Sequence, residues 1–122
     1  AAVLLQAPYE RVLRLKAGIG LPAAAPGAWD IRLREGAPPR KPLLVYDLQA
    51  QDPSLGRREA LRRAGFRTYA AFPLLVKGRV RGLLECIHRQ PFQPDAYWLE
   101  FAETLAKVTA MAVDMSEMFP GL

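Results

Sequence analysis

The stretch from Gly65 to Arg89, GFRTYAAFPLLVKGRVRGLLECIHR, leaves this chain few ways to fold. Residues 66–76 are rich in aromatic and aliphatic side chains, and residues 79–88 return with the same character. Between them stands Lys77-Gly78, and glycine reaches the left-handed angles of a tight hairpin without steric cost. The stretch therefore reads as two long antiparallel strands. Side chains alternate faces along a strand. On the return strand Val80, Gly82, Leu84, Cys86 and His88 share one face, and Arg79, Arg81, Leu83, Glu85 and Ile87 share the other. Apolar residues occur on both faces toward the strand's end, so this strand is expected mid-sheet, covered on both sides.

The flanking sequence supplies more elements. Residues 1–5 and 11–16 read as a first hairpin, with Val12 on the core side; Gly18, Gly20 and Pro22 end it. Pro22, Pro26, Pro38, Pro39 and Pro42 forbid long regular structure in the next stretch. One short helix fits between them over 27–35, with Trp29, Leu33 and Ile31 turned inward. Residues 43–48, LLVYDL, form a third strand. Ser54 is a good N-cap for a helix running to Ala64, and Gly65 suits the left-handed residue that ends it.

Asp95 caps a last helix over 96–119, about 36 Å long. Trp98, Phe101, Leu105, Val108, Ala112, Met115 and Phe119 recur at helical spacing as one apolar stripe, and Ala102, Ala106, Ala110 and Val113 widen it. The helix is longer than a small sheet needs. Part of the stripe is expected to pack on something further: a preceding helix, a second copy, or a continuing coiled coil. Met111, Met115 and Met118 suit an adaptable interface, and a homodimer through Val108, Met111, Met115 and Phe119 is the expected form.

At 122 residues, with 51% hydrophobic content, the chain is expected to be a single domain with an adequate core. It begins with Ala, as a processed chain or a piece cut from a longer protein would, and the second is the expectation carried forward. No run of about 18 apolar residues suggests a membrane span, and no leader pattern is visible. The single Cys cannot form an internal disulfide and suits a reducing cytoplasm. The net charge is +5, with Arg57, Arg58, Arg62, Arg63 and Arg67 grouped. No nucleic-acid motif accompanies them, so a solvated helix face is the simpler reading and no nucleic-acid partner is expected.

His88 is the only histidine and shares a strand face with Cys86, with Cβ atoms about 6.5–7 Å apart. Nucleophilic catalysis needs the two groups within hydrogen-bond reach and an orienting third group, and a metal needs about four ligands. Neither set is evident, and no catalytic motif stands elsewhere, so the chain is not expected to be an enzyme. Tyr46, Asp47 and Tyr69 come from strands expected to border one cavity. Asp47 could meet a ligand amine or ribose, or cap the turn that follows. Trp29 is either a pocket wall or the anchor of its loop.

The run from Arg63 to Arg89, with Gly-Leu-Leu-Glu-Cys-Ile-His-Arg at its end, then Pro91-Phe92 and Pro94-Asp95, resembles the second half of a GAF domain of bacterial sensor proteins. The likeness extends more weakly over residues 1–119. It departs at the beginning, where such domains usually carry a helix before the first strand. The resemblance implies an α+β fold: an antiparallel sheet of five or six strands, the long C-terminal helix on one face, loops and short helices on the other. It implies a cytoplasmic, non-catalytic sensory module that binds a small molecule, with an effector domain on the same chain. A dimerisation module without ligand is the alternative. Trp29, Tyr46, Asp47, Tyr69, Cys86 and His88 are then the candidate ligand contacts. Phytochrome-type members place a similar Cys-x-His stretch beside their bilin, but their attachment cysteine has no counterpart here. The Asn-Lys-Phe-Asp-Glu signature of cyclic-nucleotide members is absent, as are the several cysteines of the methionine sulfoxide reductases, so the resemblance names no cofactor.

Overall fold

The computed structural model describes residues 2–6, 12–22, 27–32, 40–48 and 57–118. Six strands and two helices follow in the order β1 (Ala2–Gln6), β2 (Val12–Gly18), β3 (Ile31–Arg32), β4 (Leu43–Val45), α1 (Arg57–Arg63), β5 (Thr68–Val76), β6 (Arg79–His88) and α2 (Ala96–Met118). The strands form one sheet in the order β3-β2-β1-β6-β5-β4, and every pairing is antiparallel. The class is α+β, as expected from the sequence.

The hairpin of β5 and β6 is the sheet's spine. Lys77 (φ 51°) and Gly78 (φ 77°) both take left-handed angles. That combination matches the natural twist of paired strands. The register then slips: Val76 faces Arg79 and Leu75 faces Val80, but Leu74 faces Gly82. Arg81 is the extra residue of a bulge. It therefore leaves the face it was expected to share with Leu83 and Glu85, and its guanidinium meets Glu117 of α2 at 2.9 Å.

Apolar residues cover both sides of the sheet. Under α2 lie Ala70, Phe72, Leu74, Val76 and Leu84. On the far side, Val45, Leu48, Tyr69 and Ala71 pack with Leu61 of α1 and with Phe66, and Leu4, Leu13 and Leu83 form an adjoining cluster. In β2 it is Leu13, not Val12, that is fully buried, because Leu13 belongs to that far-side cluster.

α1 ends as its sequence dictates. Gly65 (φ 92°) sends its N–H to the Arg62 carbonyl and Phe66 sends its own to Leu61, both at 3.0 Å, satisfying carbonyls the helix leaves open. Arg89 adds a bond to the Ala64 carbonyl at 3.0 Å and lies 4.3 Å over the Phe66 ring. The expected cap at Ser54 lies outside the described residues.

Two segments differ from expectation. No helix starts at 27: residues 27–29 form a turn, Gly27 is left-handed (φ 82°), and Ile31–Arg32 pairs with β2. The Asp30 carboxylate accepts the Leu15 N–H at 2.8 Å and lies 3.3 Å from Arg14, so attachment to the sheet edge outweighs local helix preference. Residues 33–35 lie outside the described residues. β4 is shorter than LLVYDL, because Tyr46 and Asp47 leave the ladder for side-chain partners described below.

α2 begins where expected. Asp95 accepts the Trp98 N–H at 2.8 Å through its side chain. Its packing face is the reverse of a simple reading by bulk. Ala102, Ala106 and Ala110 are the residues buried against the sheet. The large stripe looks outward, with Phe101 at 67%, Val108 at 56% and Met115 at 61% exposure. Small side chains let the helix lie close on β5, and close approach there turns the bulky residues away. Phe119 lies outside the described residues.

Candidate functional site

A cavity of about 460 Å³ opens beside the first turn of α2. Leu44 and Tyr46 from the β4 edge, Ala70 from β5, Cys86 and His88 from β6, and Phe92, Pro94 and Trp98 from the α2 approach line it. Alternation explains the grouping: Thr68, Ala70, Cys86 and His88 occupy one face of the hairpin, in register as Thr68 with His88 and Ala70 with Cys86. This is the α2 face, not the face covered by the loop that carries Trp29.

An aromatic chain forms the far wall. His88 stacks on Phe92 with centroids 6.0 Å apart, Phe92 meets Trp98 edge-on at 5.5 Å, and Trp98 leans on Phe72 at 6.1 Å. Thr68 ties the corner together. Its hydroxyl lies 3.0 Å from the Tyr46 carbonyl and 2.9 Å from the Gln90 carbonyl, and accepts the Phe92 N–H at 2.9 Å. One buried hydroxyl thus joins the edge strand, the end of β6 and the entry to α2.

The six residues singled out in the sequence do not all meet. Tyr46, Cys86 and His88 line the cavity. Tyr69 contributes to its wall, but its hydroxyl lies on the opposite face and donates to Glu85, which is only 1% exposed. The bulge is the reason: it sets Tyr69 opposite Ile87, where an unbroken hairpin would set it opposite Cys86. Trp29 packs with the far-side cluster, and its indole N–H donates to the Pro22 carbonyl at 3.0 Å, the bond of a loop anchor. Asp47 receives two bonds of 2.8 Å from Arg67, and that pairing raises the guanidinium's pKa. Sequence reading overlooked Thr68, Phe92 and Trp98 as cavity residues. The Pro91-Phe92 and Pro94-Asp95 pairs flagged an abrupt turn into α2, the one signal that pointed toward them.

Burial pushes the Cys86 thiol pKa up, and the neighbouring Glu85 adds to the shift. The thiol stays protonated near neutrality, which makes it a poor nucleophile. His88 Nδ1 accepts the Gln90 N–H at 3.0 Å. Among the described residues no group of three His, Cys, Asp or Glu side chains could hold a metal ion. Among them, too, no helix is long and apolar enough to cross a membrane.

The sheet, the helix on its back and the cavity between them define a small α+β domain with room for one modest ligand and no assembled catalytic set among the described residues. The chain belongs to the GAF domain family, whose profile matches residues 2–113. No curated protein matches it. Among solved structures it is similar to a domain of a two-component sensor histidine kinase protein from Sinorhizobium meliloti, with 20% identity and a TM-score of 0.81 over 96% of this chain and 79% of that one. It is also similar to the GAF domain of a phosphoenolpyruvate-protein phosphotransferase from Coxiella burnetii, with 17% identity and a TM-score of 0.80 over 99% of this chain and 74% of that one. A third likeness is to the GAF domain of a two-component sensor histidine kinase from Bacillus halodurans, with 18% identity and a TM-score of 0.70 over 96% and 82%. At these identities the likeness concerns the fold.

Proposed function

We propose that the chain is a non-catalytic, cytoplasmic sensory module of a bacterial signalling protein, in which a small molecule in the cavity biases α2 and α2 drives an effector domain on the same parent chain. One observation carries this reading. The helix whose first turn walls the cavity through Trp98 bares an uninterrupted apolar stripe over the rest of its length. Input and output are then two ends of one rigid element. A ligand shifts the population of α2 positions only as far as it binds one of them better than the other.

The stripe supports a second copy as its partner. Phe101, Leu105, Val108, Ala112 and Met115 recur at alternating intervals of three and four, the seam of a coiled coil, and none is charged. The homodimer then runs through Val108, Met111, Met115 and Phe119. Native mass spectrometry tests both halves. The sensor reading expects a dimer that sheds a retained small molecule on denaturation, and a monomer for the Val108→Glu, Met115→Glu double variant. A wild-type chain that stays monomeric at high concentration refutes the dimer. The second reading, a dimerisation module without ligand, is favoured by the same stripe; it expects the dimer with a clean peptide mass, purified directly from cells.

A further inference from the structure

The walls of the cavity restrict what can sit there. Among the described residues lining it there is no carboxylate, ammonium or guanidinium. A charged guest would give up its hydration there without a counterion, which is costly. The aromatic side chains of Tyr46, His88, Phe92 and Trp98 present flat apolar surface, and rings pair best with other rings offset or edge-on. The volume is that of a site for a molecule of ordinary drug-like size.

The polar groups narrow the choice further. The Thr68 hydroxyl is already engaged by Tyr46, Gln90 and Phe92. His88 Nδ1 is engaged as an acceptor of the Gln90 N–H, so the ring's N–H donor is Nε2, which has no partner among the described residues. Tyr46 lines the cavity while 44% exposed.

We propose that this cavity, on the α2 face of the sheet, takes a neutral, flat aromatic molecule bearing a hydrogen-bond acceptor, with His88 Nε2 as the donor that orients it. The assignment rests on the sensory reading and adds the chemical class of the signal. The guest lies against Trp98 and Phe92, and so touches the segment that sets the entry angle of α2.

The test is a fluorescence titration of the purified chain with Nile red, a neutral fused-ring dye with a carbonyl acceptor. Pyrene serves as the flat neutral probe without an acceptor, and anilinonaphthalene sulfonate as the anionic one. The expected result is saturable Nile red binding that survives Met115→Glu on the stripe and weakens about tenfold when the cavity is filled by Cys86→Phe. Ala70→Leu is the second filling variant should Cys86→Phe not fold. His88→Phe weakens Nile red about fivefold and pyrene less. Nile red binding untouched by either filling variant, or lost with Met115→Glu, overturns the proposal, because the dye then sits on the stripe. Equal affinity for the sulfonate overturns the neutral assignment. A charged or aliphatic molecule retained from cells overturns this ligand chemistry while leaving the sensory reading intact; absence of both retained mass and Nile red binding overturns the two together.

Discussion

Gly82→Ala tests the packing logic of the whole sheet. β6 lies between β1 and β5, so within the sheet's hydrogen-bonded ladder it links the half built from β1–β3 to the half built from β4 and β5. A Cβ on Gly82 falls 1.9 Å from the Leu4 carbonyl oxygen and 3.0 Å from the Leu5 Cα, both main-chain atoms that no rotamer change can move. Carbon and oxygen tolerate about 3.3 Å, so β1 must retreat by about 1.4 Å. A ladder bond of about 2.9 Å stretched that far is no longer a hydrogen bond. Losing about two such bonds costs about 2 kcal/mol. Partial exposure of Leu4, now fully buried, adds about 2 kcal/mol. The total of about 4 kcal/mol is a large part of the roughly 5–15 kcal/mol that holds a domain together. Urea denaturation followed by circular dichroism reads it: with a slope of about 1.5 kcal/mol per molar, the midpoint falls by between about 2 and 3 M. Gly78→Ala is the control. Its Cβ meets nothing within 4 Å, so only the left-handed angle is penalised, at about 1 kcal/mol. A Gly82→Ala midpoint within about 0.5 M of the parent, less than the control shows, refutes the reasoning.

Other outcomes follow from the same contacts. Lys77→Asn relieves a left-handed lysine and raises stability by about 1 kcal/mol in the same denaturation assay; a neutral or lower value contradicts the turn geometry. Thr68→Val removes the hydroxyl that accepts the Phe92 N–H, costs about 1–3 kcal/mol, and speeds hydrogen exchange at that amide. Ala106→Leu wedges α2 away from β5 and destabilises by about 1–3 kcal/mol, whereas Val108→Leu, on the outward face, changes the monomer's stability by less than about 0.5 kcal/mol. The raised thiol of Cys86 has a signed consequence for pH. The unfolded thiol ionises first, so the folded chain holds one more proton between the two pKa values and stability declines as pH rises above about 8.5. Cys86→Ala should remove that part of the decline in thermal melts across the alkaline range, and thiol labelling near neutrality should be slower in the native chain than in urea.

The central hairpin was legible because two local signals agreed: two adjacent runs dense in aromatic and aliphatic side chains, and a Lys-Gly turn whose angles only a short list of residues accepts. The start of α2 was legible for a similar reason, since Asp95 both stops the preceding loop and caps the helix. The packing face of α2 was not. The sequence showed an apolar stripe from Trp98 onward, widened by alanines, without saying which part meets the sheet; the depth at which a helix sits on a sheet is set by the smallest residues facing it, and Ala102, Ala106 and Ala110 permit the closest seat. Of the large stripe residues it is Trp98 that packs against the core, beside Leu99, because Phe72 and Phe92 meet it at the helix's first turn.

The candidate site was half legible. Cys86 and His88 lie on a common face as the alternation requires, and Tyr46 joins them from the edge strand. Tyr69 parted from them because one extra residue at Arg81 exchanges faces for everything beyond it. A glycine inside a strand pattern is the usual trace of a bulge or of a close main-chain neighbour, and Gly82 stands beside the first and against the second. Asp47 and Trp29 found partners in Arg67 and Pro22 that neither composition nor spacing reveals, since both contacts depend on how separate loops return to the sheet.

The seating of α2 also decides how it can move. Its buried underside is a smooth row of alanines, the one large side chain locked among other rings is Trp98 near its start, and the ion pair of Glu117 with Arg81 is the tie near its far end. On the sensory reading proposed above, the helix would act as a lever with its fulcrum at the cavity. From Trp98 to Met118 the arm is about 30 Å, so a tilt of about 5° at the fulcrum carries the far end through about 3 Å. On that same reading, a guest that displaced Trp98 by a fraction of an ångström would be read, at the other end, as a step large enough to change which side chains of two paired helices meet.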